Sequence, residues 1–205
     1  MMNILLEEFP TQVKVGSKIY DINTDFRVCL NIIIICSDSS LTENEKYDFL
    51  RENLYKKMPN DIVEATRIGV KFLNCGEEIE QSVNTNDSID SDNKDVILPK
   101  YYDFEKDAKH IYNAFKRTNN IDLETIKYLH FWKFVYLFME LDQNCFFSQL
   151  VNLRRKCYEG KLTKEERILY YSRDFRPIVD LYYTDEPEET EFERLLREGN
   201  NNGMD

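Results

Sequence analysis

A chain of 205 residues, 42% hydrophobic and 13% aromatic, is long and apolar enough to bury a sizeable core, which excludes wholesale disorder. With six glycines and five prolines it is poor in the turn residues of a β-sandwich or barrel, and helices are favoured. The net charge of −11 is concentrated: 76–98 holds seven acids against Lys94, and 182–205 holds eight against Arg194 and Arg197, a net −6 each that leaves the remainder at about +1. Such acidic stretches repel a phosphate backbone, so nucleic acid is not an expected partner.

The N-terminus carries no basic region ahead of Ile4-Leu5-Leu6, so a secretion signal is not expected there. Residues 13–22 alternate, with Val13 and Val15 before Gly16-Ser17 and Ile19 and Ile22 after it, which predicts a β-hairpin with Gly16 at a positive-φ turn position. An isolated hairpin is marginal in water, so this one is expected to pack on a helix or pair with another chain. Asn23-Thr24 offers an N-cap, with Asp25 in the first turn of a helix carrying Phe26, Cys29, Leu30, Ile33 and Ile34. The run Ile32 to Ile35 is apolar all round and predicts burial on more than one side, although its β-branched residues also permit a strand. Thr42-Glu43-Asn44-Glu45 is a capping box that opens a helix with Tyr47, Phe49, Leu50 and Leu54, closed by Pro59. A third helix starts at Asn60 or Asp61, carries Ile62, Ala65, Ile68, Phe72 and Leu73, and ends with Gly76 in the C′ role. These elements predict a first unit over 1–75.

The segment 76–98 is rich in Asn, Asp and Ser without apolar period and reads as an acidic flexible linker, with a regulatory or partner-binding segment as the alternative. A helical unit is predicted over 99–180. Its first helix opens at Tyr101 to Glu105, lines one face with Phe104, Ala108, Ile111, Tyr112 and Phe115, and stops near Asn119-Asn120. Asp122 is expected to cap a long helix that carries Leu123, Ile126 and Leu129, then Phe131, Trp132 and Phe134, and continues to Leu141. Another carries Phe146, Phe147, Leu150, Val151 and Leu153, then the basic Arg154-Arg155-Lys156, and ends at Gly160. Thr163 to Glu166 is a second capping box leading into Ile168, Leu169 and Tyr170. The pattern fades from Pro177, and 181–205 reads as an acidic disordered tail. The fold class predicted is mainly α: helical bundle-like units with a small N-terminal β-hairpin.

Chemistry-bearing motifs are scarce. The two histidines, His110 and His130, fall on different predicted helices, and no HExxH, CxxC, GxSxG, Walker or GxGxxG pattern occurs. No catalytic, cofactor-binding or metal site is therefore expected. His130 reads as a hydrogen-bonded core histidine more readily than a catalytic one. Cys29, Cys36, Cys75, Cys145 and Cys157 read as reduced core thiols in preference to disulfides or metal ligands. The apolar run 128–141 includes His130, Lys133 and Glu140 and falls short of the ~20 apolar residues of a bilayer span. The run His130 to Phe138 has more large apolar surface than one helical face hides. Either it is a central helix, or part of it meets a partner. The candidate partner-binding residues are Phe131, Trp132, Phe134, Tyr136 and Phe138, joined by Arg154 and Arg155, whose basic cluster either meets the helix C-terminal dipole or docks an acidic partner.

Several pieces together resemble the bacteriophage "gene product fifteen" family of siphophages. They are Leu5-Leu6-Glu7-Glu8-Phe9-Pro10 with the hairpin, Tyr20 to Arg27, Tyr102 to Ala108, Ile111 to Phe115, and Leu129-His130-Phe131-Trp132-Lys133-Phe134. Phe131 stands where the family usually has a second tryptophan. The resemblance implies a tail-morphogenesis protein encoded beside the tape-measure gene and similar in role to tail-assembly chaperones. Such a protein would act without a cofactor in the host cytoplasm, bind the tape-measure protein and the tail-tube protein, and leave self-association open. A structural tail or connector protein retained in the virion is the alternative.

Overall fold

The computed structural model describes residues 4–77 and 100–183. The elements run β1 (Gln12–Val15), β2 (Lys18–Asp21), α1 (Phe26–Cys36), α2 (Glu43–Leu54), α3 (Ile62–Leu73), α4 (Ala108–Asn119), α5 (Phe131–Met139), α6 (Phe146–Tyr158), α7 (Lys164–Tyr170) and α8 (Arg176–Val179). The protein is mainly α, with one two-stranded antiparallel sheet. Two compact units divide it, Met1–Asn152 and Leu153–Asp205. The expected linker and acidic tail lie outside the described residues, apart from 76–77 and 181–183.

In the first unit, Val13 faces Tyr20 and Val15 faces Lys18 across the hairpin. Gly16, at φ 59°, takes the first central position of the turn, where a positive φ suits the strand twist. The strands do not stand alone. Ile22 N–H donates to the Thr11 carbonyl (3.1 Å), Asn23 N–H to Leu54 (2.7 Å), and Lys56 N–H to Asp21 (3.1 Å), so β2 is tied to the chain leaving α2, and β1 packs on α3.

Local signals set most helix ends. Thr42 and Glu45 make the reciprocal capping box of α2, Asp61 caps α3, and Thr163 with Glu166 repeats the box at α7. At α1 the cap is Asp25, whose carboxylate accepts the Arg27 N–H, and not Asn23 or Thr24. Asn23 is held elsewhere, its side-chain amide donating to the Asn53 carbonyl at 2.6 Å. Ile32 is fully buried and Ile33, Ile34 and Ile35 half-buried, so this helix is covered on more than one side. At the end of α3, Cys75 N–H donates to Phe72 O and Gly76 N–H to Lys71 O, the paired bonds of a Schellman motif. Cys75, at φ 55°, therefore occupies C′ and Gly76 follows it. Between α2 and α3, Gly69 is a close-approach site: a Cβ there would lie 2.6 Å from Leu50 Cδ2 and 3.1 Å from Leu54 Cδ2. The ~1 kcal/mol that glycine costs inside a helix is offset by seating these two buried leucines on the α3 backbone.

Two expected helix starts move. The first helix after Pro99 begins at Ala108, not near Tyr101. Asp103 Oδ1 accepts the N–H groups of Glu105 and Lys106 (2.8 and 3.0 Å), and buried Asp107 turns back to accept the Asp103 N–H at 3.0 Å. These side-chain bonds satisfy the backbone in a turn and compete with helix. Likewise α5 begins at Phe131, not at Leu123. The Arg27 guanidinium takes the Leu123 and Ile126 carbonyls at 2.7 and 2.8 Å, diverting them from a helical ladder. Phe131 N–H then donates to Thr24 O (2.7 Å) and Phe26 N–H to Leu129 O (3.0 Å), an antiparallel bridge at Asp25 and His130.

That bridge sets α1 beside α5 and builds an aromatic core. The Phe134 ring lies between Phe26 (centroids 5.0 Å, planes 12° apart) and Phe115 (4.8 Å, 7°). Phe138 continues the layer against Tyr102, Phe104 and Phe147. Residues from both sides of 76–98 fill this one core. The second unit is small. Gly160, at φ 68°, ends α6 with the same paired bonds as α3, from Gly160 to Cys157 and from Lys161 to Lys156. The short α8 extends order past Pro177. Phe134→Ala should lower the unfolding free energy by about 3–5 kcal/mol, as expected for a large aromatic removed from a core, read as a shift in urea midpoint. Phe134→Leu should cost clearly less.

Candidate interaction surfaces

The N-terminus of α5 is assembled around His130. Its Nδ1 accepts the Trp132 N–H at 3.1 Å, capping the helix, and its Nε2 lies 3.1 Å from the Pro10 carbonyl. The pair of contacts assigns the proton to Nε2. The Phe9 ring stacks on the imidazole at 4.9 Å. Next to it, the Trp132 indole N–H donates to Phe72 O at 2.8 Å in a buried site. His130 is thus a core histidine that holds the N-terminal arm to α5. Burial places its pKa below the ordinary 6.5, opposed in part by the Pro10 contact.

Among the candidate partner-binding residues, Phe131, Trp132 and Phe134 are buried and Tyr136 and Phe138 half-buried against that core. Phe26, Phe72 and Phe115 cover the first three within the core, as a central helix requires. The basic cluster also divides. Arg154 is buried, its Nε donating to Val179 O at 2.6 Å and an Nη to Ile178 O at 2.9 Å. Lys156 pairs with Glu166 at 2.6 Å, and Arg155 is exposed. His110 stacks on Phe146, 4.8 Å between centroids. Burial pushes the thiols of Cys29 and Cys75 up to about 12 and about 11, so neither is a thiolate nucleophile near neutral pH. Among the described residues no group of three or more His, Cys, Asp or Glu converges on a metal site. No described helix is long and apolar enough to cross a membrane.

The concave surface lies elsewhere. A groove of about 960 Å³ runs between the C-terminal half of α1 and the segment 100–105. Ile33, Ile34 and Ile35 form one wall and Tyr101, Tyr102 and Phe104 the other, with the Lys100–Asp103 ion pair (2.9 Å) at the rim. All six apolar side chains are half-buried. The sequence held a signal for this wall, the four isoleucines in a row, since a helix cannot turn all of them toward one core. The opposite wall had none, because Tyr101 to Phe104 takes its shape from the Asp103 and Asp107 turn. In the second unit, Tyr158, Ile168, Leu169 and Tyr171 are exposed.

The family model for the bacteriophage Gp15 protein matches residues 5–175. The chain belongs to that family. No curated protein and no solved structure matches it.

Two outcomes follow from the geometry. His130 must be neutral to cap α5, so its contribution is fully present above about pH 6.5 and is lost as pH falls below it, because the unfolded chain takes the proton first. The urea midpoint should therefore drop between about pH 7 and pH 5 more in the wild type than in His130→Asn, which keeps a capping side chain without the titration. Arg154→Ala leaves the Ile178 and Val179 carbonyls without their donor and should speed amide exchange across 176–183 while leaving that of α5 unchanged.

Proposed function

We propose that the protein is a non-enzymatic tail-assembly chaperone that binds the phage tape-measure protein in the host cytoplasm, keeps it soluble and passes it to tail-tube subunits. Membership of the Gp15 family carries this reading. The groove along α1 adds to it. A tape-measure chain of amphipathic helices would aggregate through its apolar faces, and a groove walled by isoleucine on one side and aromatic rings on the other suits a helix laid apolar face down. The net −6 carried by each of 76–98 and 182–205 would keep such a complex soluble. The docking face assigned here is the groove, in place of the buried face of α5.

Co-expression tests the reading. The tape-measure protein should move into the soluble fraction with wild-type protein present. Ile34→Glu, which places a charge in the groove wall without touching the Phe134 stack, should leave melting within a few degrees of wild type and abolish the rescue. Failure of wild type to bind or solubilise the tape measure would overturn the proposal. A structural tail component is the second reading, and mass spectrometry of purified particles separates the two, since a chaperone is absent from mature virions.

A further inference from the structure

The hairpin was expected to pack on a helix or pair with another chain, and one side of it is still open. Backbone direction along β2 follows from its bonds. Ile22 turns its N–H toward β1, to Thr11, whereas Asn23 N–H and Asp21 C=O turn away, to Leu54 and Lys56. Alternation along the strand then places the N–H and C=O of Ile19 on the same outward side as Asp21. No described group meets them there, because the chain from Lys57 to Asn60 diverges from the strand instead of continuing the pairing. The divergence leaves a groove of about 410 Å³. Ile19, 68% exposed, and Met58, 44% exposed, give it apolar contacts. Lys18, Lys56 and Lys57 line it, and no carboxylate among the described residues pairs with any of them. Asp21, the one acid in the lining, accepts the side-chain amide of Gln12 at 2.7 Å.

We propose that this open edge of β2 binds an extended, acidic segment of a partner protein by strand addition, a contact separate from the groove along α1. The incoming strand would exchange backbone hydrogen bonds with Ile19, place one set of alternate side chains on Ile19 and Met58, and set its acids against the three lysines. Main-chain bonding gives such a contact its geometry and the lysines its choice of partner. A third strand also turns a marginal two-stranded ribbon into a sheet that is stable by itself. Lysine on an edge strand has a competing role, that of discouraging edge-to-edge aggregation. Here, however, two of the three lysines, at 56 and 57, belong to the segment after α2 and not to the strand.

The test uses the full chain and three blocked peptides of about eight residues: one alternating glutamate with valine and threonine, its lysine counterpart, and the acidic peptide N-methylated at alternate residues. Fluorescence anisotropy at low salt should show the acidic peptide binding in the micromolar range. The lysine peptide should bind at least ~tenfold more weakly, and Lys56→Glu/Lys57→Glu should cost the acidic peptide ~tenfold or more. N-methylation keeps the charge and removes the donors, so it should abolish binding. The Ile19 amide should become protected from exchange on addition of the acidic peptide. Equal binding of the N-methylated peptide would reduce the contact to charge attraction and overturn strand addition, and equal binding of the lysine peptide would overturn the acidic specificity. An Ile19 amide protected in the free chain in a concentration-dependent way would mean that a second copy occupies the edge, which also overturns the proposal. None of these outcomes depends on tape-measure binding, so the two readings fail independently.

Discussion

Two backbone hydrogen bonds, Phe131 to Thr24 and Phe26 to Leu129, join stretches of chain about a hundred residues apart and fix the first unit. They set the start of α1 beside the start of α5, and this registers the Phe26, Phe134 and Phe115 rings in one stack. The side chains around the bridge serve it. Asp25 caps one helix and His130 the other, Thr24 meets the Tyr128 hydroxyl at 2.7 Å, and Arg27 holds the turn that leads in. Thr24 and His130 are buried with a partner, so the loss of one such partner strands a buried polar group at a cost of about 1–3 kcal/mol.

What the sequence revealed and what it concealed divide by range. The capping boxes at Thr42 and Thr163, the cap at Asp61 and the glycine at 160 are local devices, and each sits where the pattern put it. The displaced starts of α4 and α5 depend on Asp107 reaching back to Asp103 and on Arg27 capturing carboxyl-side carbonyls from far along the chain. The first is a local side-chain turn that apolar periodicity does not register, and the second lies about a hundred residues outside any window. The end of α3 misled for a smaller reason: a left-handed C′ is read as glycine, and Cys75 adopts it one residue earlier.

An aromatic run too rich for one face suggested exposure on α5, yet Phe9, Phe72, Tyr102 and Phe104 come from other elements to cover it. The surplus apolar surface appears on α1 instead, where Ile33 to Ile35 wall the larger groove.

A core shared across the acidic segment has a bearing on how the protein is made. When α3 has left the ribosome, Phe26, Cys29, Ile32 and Phe72 have no aromatic layer to close on, since α5 lies about sixty residues downstream. At roughly 5–20 residues per second the nascent hairpin and three helices wait several seconds with this surface wet. The stretch synthesised in that interval includes 76–98 with its seven acids. Its charge accompanies the unfinished half during the wait and sets neighbouring nascent chains against one another by repulsion.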